Sequence, residues 1–470
     1  MRGSYGLRFA SVYLLPLIYF VLALIFSPDS AYLEPDSGGY INFSSSRTIG
    51  YPALIWLSST LFGDFNDVVI LQLLFFVLSI SFLIKKSWNL EKGWVVVFGV
   101  IVVSFLNPVF LRYHYSILSE SIFFSCVSLV LTFVISIARN PKSIWNFILF
   151  GLSIGLSILV RPIAYSFLPL IPIISMLVYF IVGEPIWKRV ICSCLACCIM
   201  IGIGAVAERQ LYGPDRVSLL PLVIFAKGML IEAGDAPSDS KDNVKKLWDR
   251  MEEDGSDVRR LLRDASHMNL AVDQYLRQNY EVYFQYQYGQ EMIQEIVKDA
   301  DVDPAKLKLS VGFSRIEANL GGYLQLSARN FMDLWGVYAT SFSPFVGEGN
   351  EFLNKHRPLP FNDMKQAIPG ELTARTVSWL AFPMISAAFV LSLIVLVSGF
   401  LIPFIDRDLR ADLIVPITTS LMVNGNFLLI ALLGVGVARY SLAMMLPIAV
   451  MALSFLIFLI KGFKCYYSIR

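Results

Sequence analysis

Ten apolar runs of about 20 residues dominate this 470-residue chain and leave few ways to fold it. A helix needs roughly 20 apolar residues to cross a bilayer, because each residue rises about 1.5 Å and every backbone polar group must be satisfied within the segment. The runs fall at 9–27, 67–84, 93–111, 121–138, 144–160, 163–183, 190–207, 379–404, 413–435 and 441–460. Charged residues make up only 16% of the chain, against about 25% in soluble domains. The expected fold class is an all-α polytopic membrane protein with about ten transmembrane helices. A further apolar run, "LLPLVIFAKGML" near 219–230, is short and carries Lys227, which predicts an interfacial or re-entrant segment.

Positive charge sets the expected orientation, since Lys and Arg accumulate on the cytoplasmic side. With the N-terminus inside, the cytoplasmic connections hold 14 of them, Lys85, Lys86, Arg139, Arg410 and Lys461 included, and the short outer connections hold four. Both termini are therefore expected in the cytoplasm, with the 28–66 loop and residues 209–375 outside. Arg2 and Arg8 ahead of 9–27 would also suit a signal peptide. That run is long for one and no small-residue cleavage site follows, so it reads as the first span.

Three pieces result: a transmembrane module over 1–208 with seven spans and the first outer loop 28–66, an extracytoplasmic domain over 209–378, and three spans in 379–470. Residues 209–375 carry 20 Lys+Arg against 24 Asp+Glu, which offers no basic excess for nucleic acid. None of the six cysteines lies there, so disulfides do not staple it. "CSCLACC" at 192–198 sits inside an apolar run, where thiols act as small hydrophobic groups rather than metal or redox centres. Val244, Leu247, Trp248 and Met251 recur at helical spacing up to Gly255, and similar patterns continue to 300, predicting a mostly helical domain.

Two near-motifs dissolve on inspection. "DADVDP" at 299–304 has Pro304 and Ser310 where a calcium loop needs Gly and a bidentate Glu, so Asp303 reads as an N-cap and Pro304 as the first helical residue. "DRD" at 406–408 reads as solvated charge in a short turn. In the first outer loop, "YPALIWLSSTLF" places Tyr51, Leu54, Ile55 and Phe62 along one helical face, with Ser58 and Ser59 toward the other. That predicts a helix lying along the membrane surface.

Four outward arginines stand against the positive-inside bias. Arg47 follows Asp36, Arg112 ends the third run, Arg161 follows the fifth and Arg439 begins the tenth, so all are expected near the outer headgroup level. Glu34, Asp36 and Glu120 belong to that level too, with His114 close by in "RYHYSILSES". Taken singly, each is a snorkelling arginine or a solvated loop acid; taken together, ionisable groups at membrane depth are costly and collect at substrate or ion sites. The chemistry that fits is transfer from a lipid-borne phosphate. Guanidinium forks match phosphate geometry, and a carboxylate within hydrogen-bond reach can take an acceptor's proton.

"PDSGGY" in the first outer loop, an interfacial helix opening "GYP", "LSES" before the fourth span, "LVRP" after the fifth and "ARYSLAMMLP" opening the last resemble the GT-C superfamily of integral-membrane glycosyltransferases. The nearest branch is that of protein O-mannosyltransferases and lipid A aminoarabinose transferases. The resemblance covers about 1–208 and 379–470. It implies a polyprenyl-phosphate-linked sugar donor, a glycan, lipid or protein acceptor, surrounding membrane lipids, no nucleic-acid partner, and work at the outer face of a bacterial inner (plasma) membrane. It implies catalytic roles for Asp36, as base or acceptor-orienting acid, and for Glu120, which orients acceptor or metal. It implies that basic groups among Arg47, Arg161 and Arg439 hold the lipid phosphate, and by their place at the same level Glu34, Tyr40, Arg112, His114 and Tyr440 are expected to join them in binding substrate. No cofactor is implied, and a divalent metal stays open.

The sequence departs from that family in two places. Asp36 is followed by Ser37 where many members pair adjacent acids, and the soluble domain stands between the seventh and eighth spans. Rival readings remain. A polysaccharide polymerase or ligase would share the lipid-linked donor but transfer a chain; a secondary transporter would gather its charges near the midplane and show internal repeats; a non-catalytic scaffold would be indifferent to Asp36 and Glu120.

Overall fold

The computed structural model of the chain describes residues 2–183, 187–213, 217–238, 241–268, 270–297, 302–341, 371–402, 405, 407–434 and 438–469. Among these the regular structure is all helical, apart from one isolated parallel bridge between Tyr32 and Ser116. All ten expected spans fall on helices. Seven of the described helices are long and apolar enough to cross a membrane: Gly6–Ile25, Val68–Ser87, Glu120–Arg139, Pro162–Ile181, Trp187–Tyr212, Leu409–Leu433 and Tyr440–Lys464. Gly93–Phe105, Ile144–Val160 and Ser386–Phe400 are shorter apolar helices. The expected 93–111 span stops early for a local reason. Asn107 precedes a proline, which pushes it to extended backbone (φ −92°, ψ 108°); its side chain then accepts from Val109 N at 3.0 Å and starts a new helix, Pro108–His114.

The chain divides into two compact units. The first comprises 1–217, 390–426 and 442–470; the second comprises 218–389 and 427–441.

At the centre of the first unit, helix Glu120–Arg139 is buried along nearly its whole length. Its hydroxyls bond back to carbonyls one turn earlier, Ser128 to Phe124 O, Thr132 to Ser128 O and Ser136 to Thr132 O at 2.8 Å each, so they carry no unmet polarity into the bundle. Helices Ile144–Val160 and Trp187–Tyr212 meet backbone to backbone, since a Cβ on Gly151 would lie 2.1 Å from Ser193 O and one on Gly155 2.6 Å from Met200 Cβ. Five cysteines, 126, 192, 194, 197 and 198, are free thiols, with Cys126 and Cys197 buried in this packing.

Helix Gly50–Phe62 docks at the end of the 144–160 helix, where Gly50 leaves no room for a side chain against Leu159 O at 2.6 Å. The expected face of this helix needs correction. Tyr51, Leu54 and Ile55 are buried with Ser58, whereas Phe62 is exposed. Ser58 follows Tyr51 by seven residues, about two turns, and so shares its face; Phe62 sits in the last turn, where the chain reverses through Gly63 at φ 86°.

The second unit is built around helix Leu220–Met229, the run that looked interfacial. It is instead an interior helix: Pro221 through Met229 are buried, and Phe225, Ala226 and Met229 pack with Leu247, Trp248, Met251, Leu276, Phe284 and Val311. Lys227 is fully buried because it pairs with Glu281 at 2.8 Å. The carbonyls at the end of this helix are met by buried arginines, Arg315 on Gly228 O (3.0 Å) and Ile231 O (2.9 Å) and Arg259 on Met229 O (3.0 Å). Helix Asp242–Met268 runs through Gly255 rather than stopping there; the glycine admits Arg259, whose Nη1 would lie 2.5 Å from an added Cβ. Asp303 caps helix Pro304–Ala318, accepting from Ala305 N at 2.9 Å. Asp406 and the side chains of Arg407 and Asp408 lie outside the described residues.

Candidate functional site

The first loop is stitched to the segment ahead of helix Glu120–Arg139. Tyr32 N donates to Tyr115 O at 2.8 Å and Ile117 N to Tyr32 O at 3.0 Å. Ser37 Oγ donates to Ile117 O and accepts from Glu34 N, both at 2.8 Å. After the short helix Ser37–Ile41 the chain turns back through Phe43 at φ 50°, a conformation bulky residues rarely adopt, with Ser44 N on Gly39 O and Arg47 N on Ser44 O at 2.9 Å. Gly39 is what makes the turn possible: a Cβ there would sit 3.0 Å from Arg47 Nε.

That turn delivers Arg47 to Asp36, Nη2 to Oδ1 at 2.7 Å. The same guanidinium lies 4.8 Å from the centre of the Tyr40 ring. The Tyr40 hydroxyl shares a hydrogen bond of 3.0 Å with Ser119 Oγ, and the next residue, Glu120, binds Arg161 Nη1 at 3.0 Å. Tyr40 thus joins two arginine–carboxylate pairs whose partners are separated by tens of residues in sequence. Burial pushes its phenol up, against the pull of Arg161 and Arg47, so it stands among four charges as a neutral hydroxyl.

A third pair, Arg112 to Glu34 at 3.1 Å, lies beside a cleft of about 610 Å³ lined also by Tyr32, Leu33, Leu111 and Tyr115. Exposure rises from pair to pair. Glu120 and Arg161 are 2% and 12% exposed, Asp36 and Arg47 21% and 20%, Glu34 and Arg112 24% and 67%. The deepest pair is shielded from water and fixed; the outermost offers a guanidinium to whatever enters the cleft.

Side chains that the sequence did not single out hold this arrangement from behind. Tyr51, fully buried, meets Tyr40 edge-on at 5.0 Å and donates to Gln72 Oε1 at 3.2 Å. Gln72 in turn donates to His114 O (2.9 Å) and Ser116 O (3.2 Å), fixing the segment that leads to Glu120. Glu208, buried on helix Trp187–Tyr212, accepts from Ile49 N at 3.2 Å, and Thr48 Oγ1 donates to Val160 O at 3.1 Å beside Arg161.

The remaining expected residues are placed differently. His114 is turned into the core, its Nδ1 sharing a 2.6 Å hydrogen bond with Ser121 Oγ and its ring 4.2 Å from that of Phe76. Burial pushes its imidazole down to about 3, so it is neutral at physiological pH and serves as scaffold rather than phosphate contact. Arg439 and Tyr440 stand on helix Ala438–Leu442 in the second unit, and the Arg439 side chain lies outside the described residues. Among the described residues no three His, Cys, Asp or Glu side chains converge to hold a metal ion.

No protein-family model matches the chain, and no curated protein does. Among solved structures it is similar to the crystal structure of ArnT from Cupriavidus metallidurans bound to undecaprenyl phosphate, at 13% identity and a TM-score of 0.36. It is similar also to ArnT from the same organism in the apo state, at 12% identity and a TM-score of 0.35. Each likeness spans 96% of this chain and 77% of the other. At this identity and TM-score neither says what the chain does.

Proposed function

We propose that this chain is an integral-membrane glycosyltransferase that moves a sugar from a polyprenyl-phosphate donor to a glycan, lipid or protein acceptor at the outer face of the membrane. The observation that carries the reading is the junction of Asp36–Arg47 and Glu120–Arg161 through Tyr40, beside an open cleft rimmed by Arg112. Buried ionisable groups at the end of a membrane bundle are retained where they serve a substrate, and guanidinium groups graded in exposure suit a phosphate that arrives from the lipid side.

In the reaction, the acceptor hydroxyl loses its proton to the Asp36 carboxylate as its oxygen bonds to the anomeric carbon. The bond from that carbon to the phosphate oxygen breaks, and the polyprenyl phosphate leaves with the electron pair. Arg47 orients the carboxylate through Oδ1, and Tyr40 holds both pairs in register. Glu120 stays beneath, fixing Arg161 so that its charge faces the developing phosphate; in a site shielded from water such preorganised charge is worth more than in bulk.

The test is a comparison of cells with and without the chain. Loss should leave a polyprenyl-phosphate-linked sugar to accumulate and an envelope component to lose one sugar, and mass spectrometry of both fractions would name donor and acceptor. A loss of whole chains with no single-sugar change would select the polymerase or ligase reading, and no change in either fraction would end the transferase reading. Sidedness is tested separately. Engineered cysteines at positions 92 and 257 should react with an impermeant maleimide from opposite sides, with 257 outside; equal labelling from outside would overturn the orientation.

A further inference from the structure

Helix Leu320–Ser341 in the second unit carries its polarity inside out. Its two charged residues are held by buried partners: Asp333 binds the buried Arg277 at 2.8 Å, and the half-buried Arg329 lies 3.8 Å from the buried Asp273. Its exposed stripe is Leu320, Leu324, Ala328 and Met332, with Gly321 and Gln325 between them and no charge. A helix facing water on its outer side carries its charges there; this one draws both of its charges into ion pairs away from the stripe and exposes leucine and methionine.

The same helix packs, within its unit, on residues of two apolar helices of membrane-spanning character. The Tyr323 hydroxyl donates to Leu432 O at 3.0 Å, and the Trp335 ring lies 5.3 Å from both Phe427 and Phe389. Phe427 and Leu432 belong to the candidate span Leu409–Leu433, and Phe389 to the apolar helix Ser386–Phe400. Phe427 precedes the end of its span by six residues, which at about 1.5 Å each puts Trp335 roughly 9 Å below that end. Interfacial helices bury their apolar face about 5–10 Å into a bilayer.

We propose that helix Leu320–Ser341 lies in one leaflet, with Leu320, Leu324, Ala328 and Met332 against acyl chains, giving the second unit a membrane-embedded face of its own. The occupant is lipid because the helix packs, near its end, on a helix of membrane-spanning character that likewise exposes apolar side chains, Leu428 and Leu433. The inference does not rest on the transferase reading.

The full-length protein in nanodiscs of phosphatidylethanolamine and phosphatidylglycerol provides the test. With the native cysteines replaced, nitroxides at 324 and 332 should collide with oxygen in preference to a water-soluble nickel chelate, matching a label at the span position 428 and opposing one at the exposed Asp257. Preference for the nickel chelate at 324 and 332 would overturn the proposal, and so would shielding from both reagents, which would mean a protein surface covers the stripe. The unmodified protein supplies a second reading independent of any substitution: an apolar photoactivated carbene reagent dissolved in the bilayer should label the 320–332 peptide. A peptide as unlabelled as the 242–262 segment would also overturn it.

Discussion

The chain holds two sets of buried charges, and they are built on opposite plans. In the first unit the arginine–carboxylate pairs are strung from a nearly dry interior out to a cleft, each more exposed than the last. In the second unit Lys227–Glu281 and Arg277–Asp273 are closed off completely, tied together by Asn330, which meets both Arg277 and Glu281. Charges enclosed to this degree hold the fold together, and the four paired side chains themselves are shielded from any ligand. A graded set has an entrance, and under the proposed function the same residue types there meet a charged substrate.

The contrast breaks most sharply at Asp36. Asp36→Asn keeps size and hydrogen bonding but removes the proton acceptor, and general-base catalysis is worth about 10²–10⁴-fold. Transfer should fall by that factor at unchanged membrane abundance, measured as sugar incorporation in cells lacking the wild-type copy. If Asp36 only caps its turn, Asn should serve nearly as well, and activity within a few-fold of wild type would move this pair into the structural class.

Lys227→Met should act in the other currency. It strands Glu281 inside the second unit, and breaking a buried pair costs about 3–5 kcal/mol. The variant should unfold at lower temperature or denaturant, while the double change Lys227→Met with Glu281→Leu recovers most of the loss, because an apolar pair of similar volume replaces it. Activity per folded molecule should not change in the double variant. If it collapses, the second network reaches the chemistry.

A smaller effect comes from Asp333, whose carboxyl burial pushes up to about 6. A group that binds its proton more tightly when folded adds stability that is fully present below its unfolded value near 4 and is lost as pH rises through about 6, worth at most about 3 kcal/mol. The stability of wild type relative to Asp333→Asn should therefore decline between pH 4 and 7. A flat difference would place Asp333 in contact with water. Smallest is Arg112→Lys at the exposed rim, where an ion pair contributes about 1 kcal/mol or less. Its apparent donor KM should rise about fivefold or less with kcat unchanged, and a larger loss would make Arg112 a principal phosphate contact.

How much of this the sequence reveals follows from the range of the interactions. The spans are legible because each must satisfy its backbone alone, and the arginines stand out as candidates because their expected side opposes the charge bias. Asp36, Arg47, Glu120 and Arg161 could be named on that basis, but not their pairing: Glu120 meets Arg161 across a whole membrane helix, and Tyr40 reaches Ser119 over 79 residues. Gln72 and Glu208 lie inside or at the end of apolar runs and carry no pattern that marks them. Lys227 misleads for the same reason in reverse. A charge in a short apolar run signals a surface until its partner, Glu281, is found 54 residues away. His114 resembles a site residue by its neighbours in sequence, whereas its ring points into the aromatic core.

The most direct test of the account is where a lipid phosphate sits. The protein in nanodiscs saturated with polyprenyl phosphate should show, by cryo-electron microscopy, a phosphate within hydrogen-bond distance of Arg47, Arg112 or Arg161 and its isoprenoid chain running from the cleft lined by Tyr32 and Tyr115. Density for the phosphate at another place on the molecule, or an empty cleft at saturating lipid, would contradict it.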